Sequence, residues 1–238
     1  MAVTLQEGGR QVIEKTECLR ISKSVLQFIT LNIQGLKNKI PELKKATLYF
    51  NNYAIIMLTE SKNAKESSFS DNDYLYLLGA VDKHCGGVSW MIPLCSKNNL
   101  VSYQHIGFQL STITLKLKNT YLLIIVCYMP TSNSENSKVE EVYGQMKEIM
   151  SGFKKLYPLS RNNIIIGGDF NAKIKCTIRR GKFSNSAHLE NNERGTKLEL
   201  WTENENLSIT NQLVIKKRRL DLHGTGQIKL VEVNWITF

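Results

Sequence analysis

The sequence predicts an α/β fold, one domain with two packed β-sheets and a few helices, and three observations predict it. Short apolar runs such as 54–58 and 163–166, the latter apolar behind Asn163, have the length and composition of strands buried on both faces. The run 113–117 alternates apolar and polar residues with period two, which marks a strand with one face in a core. Between these runs, apolar residues recur at helical spacing in a few segments.

Taken in order, residues 1–22 are mixed and polar, contain Gly8 and Gly9, and read as a poorly ordered leader to a domain over 23–238. A first strand is expected at 25–31. A helix follows over 39–50, with Ile40, Leu43, Thr47 and Phe50 on one face and Pro41 in its first turn. Residues 54–58 form a second strand and 63–73 a polar loop. Further strands are expected at 74–78, 87–92, 113–117 and 122–128, closed by the polar stretch 131–137. Ser137 and Glu140 have capping-box spacing, and behind them Val139, Val142, Met146, Ile149 and Phe153 line one face of a helix. A buried strand at 163–166, a polar flexible segment at 173–192, a helix at 196–204 and short strands near 207–210 and 228–236 complete the series. No internal repeat or long linker divides the chain, so one domain is preferred over two small ones.

The 238 residues are 42% hydrophobic and 22% charged, enough for one substantial core and too apolar for a disordered tail. Lys and Arg number 31 against 21 Asp and Glu, a net charge of +10. A surplus of that size concentrates polyanions at the surface, so nucleic acid is the first partner it points to, with a basic but inert surface as the alternative. Five cysteines, an odd number without C-x-x-C spacing, argue for buried thiols in a reducing compartment over disulfides or a zinc site. No signal peptide opens the chain, and the longest apolar run, 121–130, is far too short for a membrane span. The expectation is an intracellular monomer without a membrane partner.

Polar residues gather at strand ends, where a rigid terminus can aim several side chains into one cleft. Asn32 follows the first strand, Glu60 the second, and Tyr128 ends a third. Asp169 and Asn171 close a fourth in Gly-Gly-Asp-Phe-Asn-Ala and, two residues apart in an extended chain, point the same way. Carboxylates and amides together suit a hard divalent cation, Mg²⁺ or Mn²⁺, and a phosphate. Taken singly, Asn32 and Glu60 also read as turn residues or caps, and Tyr128 as a half-buried sheet residue.

The ordered set is similar to the endonuclease/exonuclease/phosphatase superfamily: Asn-x-x-Gly-Leu, an apolar run with Thr-Glu, Gly-Gly-Val, Tyr-x-Pro, then Gly-Asp-Phe-Asn-Ala. Asn-Glu-Arg-Gly-Thr-Lys-Leu at 192–198, followed by Leu-Ser-Ile-Thr-Asn at 207–211, resembles its LINE-type retrotransposon endonuclease branch, craniofacial development protein 2-like sequences included. The resemblance implies a four-layer α/β/β/α sandwich of two mixed sheets and metal-dependent cleavage of a phosphodiester in DNA. It implies Glu60 as the metal ligand and Asn32 as placing metal and phosphate. Tyr128 would bond the phosphate, Asp169 would position or deprotonate the attacking water, and Asn171 would stabilise the transition-state oxygens.

The chain departs from that pattern at three places. Gln34 stands at a position that is often acidic in the abasic-site endonucleases. Asn234 stands where the resemblance expects Asp, and the final Ser-Asp-His and its strand do not follow. The expectation is therefore a DNA endonuclease of retrotransposon origin with impaired catalysis. A catalytically silent DNA-binding remnant, or a phosphatase of the same superfamily, are the alternatives. The basic run Lys216, Lys217, Arg218 and Arg219 reads as a DNA-backbone contact, a nuclear localisation signal or a solvated turn.

Overall fold

A computed structural model describes residues 4–7, 10–13, 26–47, 54–81, 86–131, 133–175 and 190–209. The strand expected at 228–236, Asn234, the basic run 216–219 and the fate of the last strand lie outside them.

The five-stranded sheet contains β3 (Phe28–Asn32), β4 (Ile55–Thr59), β5 (Ser67–Ser70), β6 (Tyr74–Leu78) and β7 (Val88–Pro93), in the order β3-β4-β7-β6-β5. The four-stranded sheet contains β8 (Leu100–Ile106), β9 (Leu110–Leu117), β10 (Thr120–Tyr128) and β11 (Ile164–Asp169), in the order β11-β10-β9-β8. Both sheets are mixed. β3 and β4 run parallel, joined through helix α1 (Ile40–Thr47); β10 and β11 run parallel, joined through helix α2 (Asn136–Leu156); the other pairs are antiparallel. A parallel pair needs a crossover, and in each case an amphipathic helix supplies it. Helix α3 (Glu193–Asn204) follows β11. Within the leader, β1 (Thr4–Glu7) and β2 (Arg10–Ile13) form a hairpin of their own.

Three apolar clusters make the layers. Phe28, Met57, Trp90, Ile113, Ile124 and Val126 are among the residues that fill the space between the sheets. The strands β4 and β7 are buried along their whole length, as their mostly apolar sequences require, Thr59 and Ser89 included. Trp90, fully buried, donates from its indole nitrogen to Ser111 Oγ at 2.7 Å, so the largest core side chain meets its one polar need. On the outer face of the five-stranded sheet, Leu43 of α1 packs with Ile29, Leu31, Ile56 and Leu58. On the outer face of the other sheet, Val139, Val142, Tyr143, Met146, Met150 and Phe153 of α2 and Leu198 of α3 cover Leu123, Ile125 and Cys127. The result is the four-layer α/β/β/α sandwich. Among the described residues no helix is long and apolar enough to cross a membrane.

Local details differ from the sequence expectation. The polar segment 63–73 contains a strand, β5, all four residues of which are exposed. Edge strand β8 carries no core-facing alternation and is held by its pairing with β9. The capping box at Ser137 does not form: α2 starts one residue earlier, and Ser137 Oγ donates to Glu135 Oε2 at 3.3 Å. Helix α3 begins at Glu193, before the expected start, because the Asn192 side chain accepts from Gly195 N. Residues 207–209 carry no strand.

The sheets are closest where β11 lies over β3 and β4. A Cβ at Gly167 would come 2.7 Å from Met57 Sδ and 3.0 Å from Thr30 Oγ1, so glycine there lets the sheets approach. This approach brings the ends of β3, β4 and β11 together.

Candidate active site

Asn32 is the last residue of β3 and pairs in register with Thr59, so Glu60 emerges from β4 one step beyond it. The Asn32 amide nitrogen donates to Glu60 Oε1 at 2.7 Å and to Asp169 Oδ2 at 3.2 Å. One neutral amide thus bridges two carboxylates that come from different sheets. The other end of that amide, Asn32 Oδ1, is buried without a hydrogen-bond partner among the described residues.

Glu60 is held by its backbone. It adopts φ 54°, an uncommon conformation for a residue with a side chain. Its carbonyl accepts from Gly35 N at 2.7 Å, while Ile33 N bonds Thr59 O and Leu36 N bonds Ser61 O. The exits of β3 and β4 are therefore laced together beyond the sheet. Behind Glu60, buried Ser61 accepts from Ser89 Oγ at 2.9 Å, and Ser89 Oγ accepts from Asn63 Nδ2 and Gly79 N. Lys62 Nζ lies 3.8 Å from Glu60 Oε2.

Asp169 ends β11, in register with Tyr128 at the end of β10. Its Oδ1 accepts from Asn171 N at 3.0 Å, an Asx turn, and its carbonyl accepts from Met129 N at 2.8 Å. Asn171 takes φ 47° and donates one amide hydrogen to Met129 O at 2.7 Å, leaving the second N–H of that amide as a donor. Gly168 sets this turn. At φ 136° it occupies backbone space open to glycine, and a Cβ there would overlap the Cys127 carbonyl. The Tyr128 ring lies against Gly86, where a Cβ would come within 3.1 Å of it. Cys127, fully buried, stays a thiol: burial pushes its pKa far up, and the nearby Asp169 charge adds to this.

The structure thus brings Asn32, Glu60, Asp169 and Asn171 into one hydrogen-bonded set, with Tyr128 beside Asp169 in the β10–β11 pair. Asn234 and Lys216, Lys217, Arg218 and Arg219 lie outside the described residues. Gly86, the first glycine of the Gly-Gly-Val motif, seats Tyr128. Two supports escaped the sequence reading: the Ser61–Ser89 pair backs Glu60, and Lys39 Nζ donates to Ile33 O at 2.6 Å beside Asn32. Serine and lysine of this kind carry no local signal.

Among the described residues no three His, Cys, Asp or Glu side chains cluster as a metal cage. Mg²⁺ does not require one, since it binds through one or two carboxylates and keeps several waters. The Glu60 and Asp169 carboxylates are oxygen donors of the kind such a cation takes.

No protein-family model matches the chain, and comparison with curated proteins finds no match. Solved structures do align. The endonuclease domain of TRAS1, a telomere-specific non-LTR retrotransposon, superposes with a TM-score of 0.50 and 14% identity over 76% of this chain and 72% of that one. D. rerio TDP2 complexed with single strand DNA product aligns at TM-score 0.41 and 13% identity, over 62% of this chain and 61% of that one. Caenorhabditis elegans TDP2 aligns at 0.41 and 11% identity, over 68% and 50%. At such identities the likeness to the TRAS1 domain is one of fold.

Proposed function

We propose that this chain is a metal-dependent phosphodiester hydrolase acting on DNA, an endonuclease of retrotransposon type. The observation that carries this reading is the Asn32 bridge, which holds the Glu60 and Asp169 carboxylates side by side although the two come from separate sheets. The net charge of +10 supports a polyanionic substrate.

Glu60 is the residue that would hold Mg²⁺ or Mn²⁺, with Asn32 placing the metal and the phosphate. Such an ion supplies charge neutralisation and polarisation of a phosphoryl oxygen. The chain's own groups do the rest. Asp169 takes a proton from the attacking water as the new P–O bond forms and the ester P–O bond breaks, its electron pair leaving on the ester oxygen, which takes a proton from solvent. The remaining N–H of Asn171 and the Tyr128 hydroxyl donate to the phosphate oxygens, on which negative charge builds in the transition state. Asn234 offers no negative charge at a place where the resemblance puts a carboxylate, so turnover is low.

Nicking of supercoiled plasmid in Mg²⁺ and in Mn²⁺ tests the reading, with Asp169→Ala and Glu60→Gln as controls. Nicking that requires the metal and is lost in both variants is the expected result. A folded protein that retards DNA without nicking it would replace this reading with that of a DNA-binding remnant.

A further inference from the structure

The segment Asn192-Glu193-Arg194-Gly195 belongs to no part of the hydrolytic set, yet it touches both chain segments that leave the site. After Asp169 and Asn171 the chain runs extended to Lys175. Asn192 Oδ1 accepts from Lys173 N at 3.0 Å while capping α3 at Gly195 N at 2.8 Å, and Asn192 N donates to Lys173 O at 3.1 Å. Asn191 Oδ1 accepts from Lys175 N. A Cβ at Gly195 would overlap the Lys173 carbonyl, so the helix end and this segment lie in direct backbone contact.

The second segment leaves Tyr128 through Met129. There Arg194 Nη2 donates to Ser134 O at 2.7 Å, and Glu193 Oε1 accepts from Asn136 Nδ2 at 2.9 Å. Arg194 is only 7% exposed, and among the described residues its Nη1 has no hydrogen-bond partner and no carboxylate forms an ion pair with it. A buried guanidinium with so little compensation does not serve stability, since an apolar side chain of similar size is often better tolerated there.

We infer that Asn192 and Arg194 are positioning residues, which clip the segments after β10 and β11 to the first turn of α3 and so fix Tyr128, Asp169 and Asn171 relative to one another. This inference rests on the hydrolase reading for its consequence in turnover, but the clip has a readout of its own. The Met129 and Asn171 amides both bond Asp169, through its carbonyl and its Oδ1. Loosening the clip at Asn192 therefore frees the Lys173 amide directly and the Met129 and Asn171 amides by transmission.

The test combines NMR amide exchange, melting and plasmid-nicking kinetics on the full chain with Asn192→Ala, Asn192→Asp and Arg194→Met. Asn192→Ala is expected to speed exchange at Lys173, Asn171 and Met129 while β4 and β7 are unchanged. Its kcat falls about 10–100-fold with KM within about twofold, the scale of a misplaced reacting group. Asn192→Asp keeps both acceptor bonds and stays within about threefold of the parent. Arg194→Met melts within about 2 °C of the parent yet loses kcat by about tenfold or more, a separation that a purely structural role does not produce.

Faster exchange confined to Lys173, or Arg194→Met kcat within about twofold of the parent, would overturn the inference. If the unaltered chain shows no metal-dependent nicking, the hydrolase reading fails alone. The exchange pattern then decides the clip: transmission to Met129 and Asn171 upholds it and confinement to Lys173 refutes it.

Discussion

Replacing Asn32 by alanine removes the amide that bridges Glu60 and Asp169, and its effect can be worked from the geometry. The amide makes two charge-assisted hydrogen bonds, at 2.7 and 3.2 Å. Each such bond contributes about 1.5–3 kcal/mol. The Glu60 side chain is 20% exposed, so solvent screening favours the low end, and about 3 kcal/mol is the expected loss for the pair. For a domain of this size each kcal/mol moves the melting midpoint by about 2–4 °C, so Asn32→Ala should melt roughly 6–12 °C below the parent in EDTA. Asn32→Asp should fall further, because it replaces the shared donor with a third negative charge between the other two. Saturating Mg²⁺ or Mn²⁺ should raise the midpoint of both the parent and Asn32→Asp, by an amount equivalent to about 3 kcal/mol at a hundredfold excess over Kd. Scanning calorimetry with and without metal reads all of this. An Asn32→Ala midpoint within about 2 °C of the parent in EDTA would refute the bridge as a stabilising element. The absence of any metal-dependent gain would refute the cation reading while leaving the bridge argument standing.

Gly168→Ala puts a side chain at φ 136° against the Cys127 carbonyl, so it should destabilise by about 3 kcal/mol or more and displace Asp169; equal urea midpoints for mutant and parent would contradict this. Burial raises the Asp71 pKa, but the Asp73 and Tyr74 backbone N–H groups, the Lys44 ammonium and the Tyr76 hydroxyl outweigh it and hold the carboxyl at about 2, against an ordinary 3.8. A lowered carboxyl stabilises the fold fully above 3.8 and loses that contribution as pH falls through 2, so Asp71→Asn should flatten the melting profile between those values, and an unchanged profile counts against the argument. If Lys216, Lys217, Arg218 and Arg219 contact DNA phosphates, neutralising all four should reduce the slope of log K against log salt by up to about 3.6, read by fluorescence anisotropy over a salt series. An identical slope would leave the run as a solvated turn.

The sequence by itself determined the parts that depend on neighbouring residues alone. An apolar run such as 55–58 in β4 or 122–127 in β10 can only be buried, and helical spacing in α2 marks the face that covers the sheet. Asn32, Glu60, Tyr128 and Asp169 were legible as candidates because each is a polar residue at the end of such a run. Strands β5 and β8 were not legible. They lie at sheet edges with mostly exposed side chains, so their extended form comes from hydrogen bonds to a neighbour and leaves no hydrophobic period. The start of α3 was misread for a related reason: Asn192 is an ordinary N-cap type, but it also answers to Lys173, nineteen positions away.

That Asn32, Glu60, Asp169 and Asn171 meet in one hydrogen-bonded set follows from the tertiary structure. Pairing of β3 with β4 places Asn32 beside Glu60, and packing of β11 over both brings in Asp169 from another sheet. That approach is accompanied by a glycine at 167, left-handed turns at Glu60 and Asn171, and an Asn32 amide oxygen without a partner among the described residues. Local pattern encodes which residues are buried. The direction in which a strand end points depends on which strands pair and how closely two sheets pack, and these are properties of the whole chain.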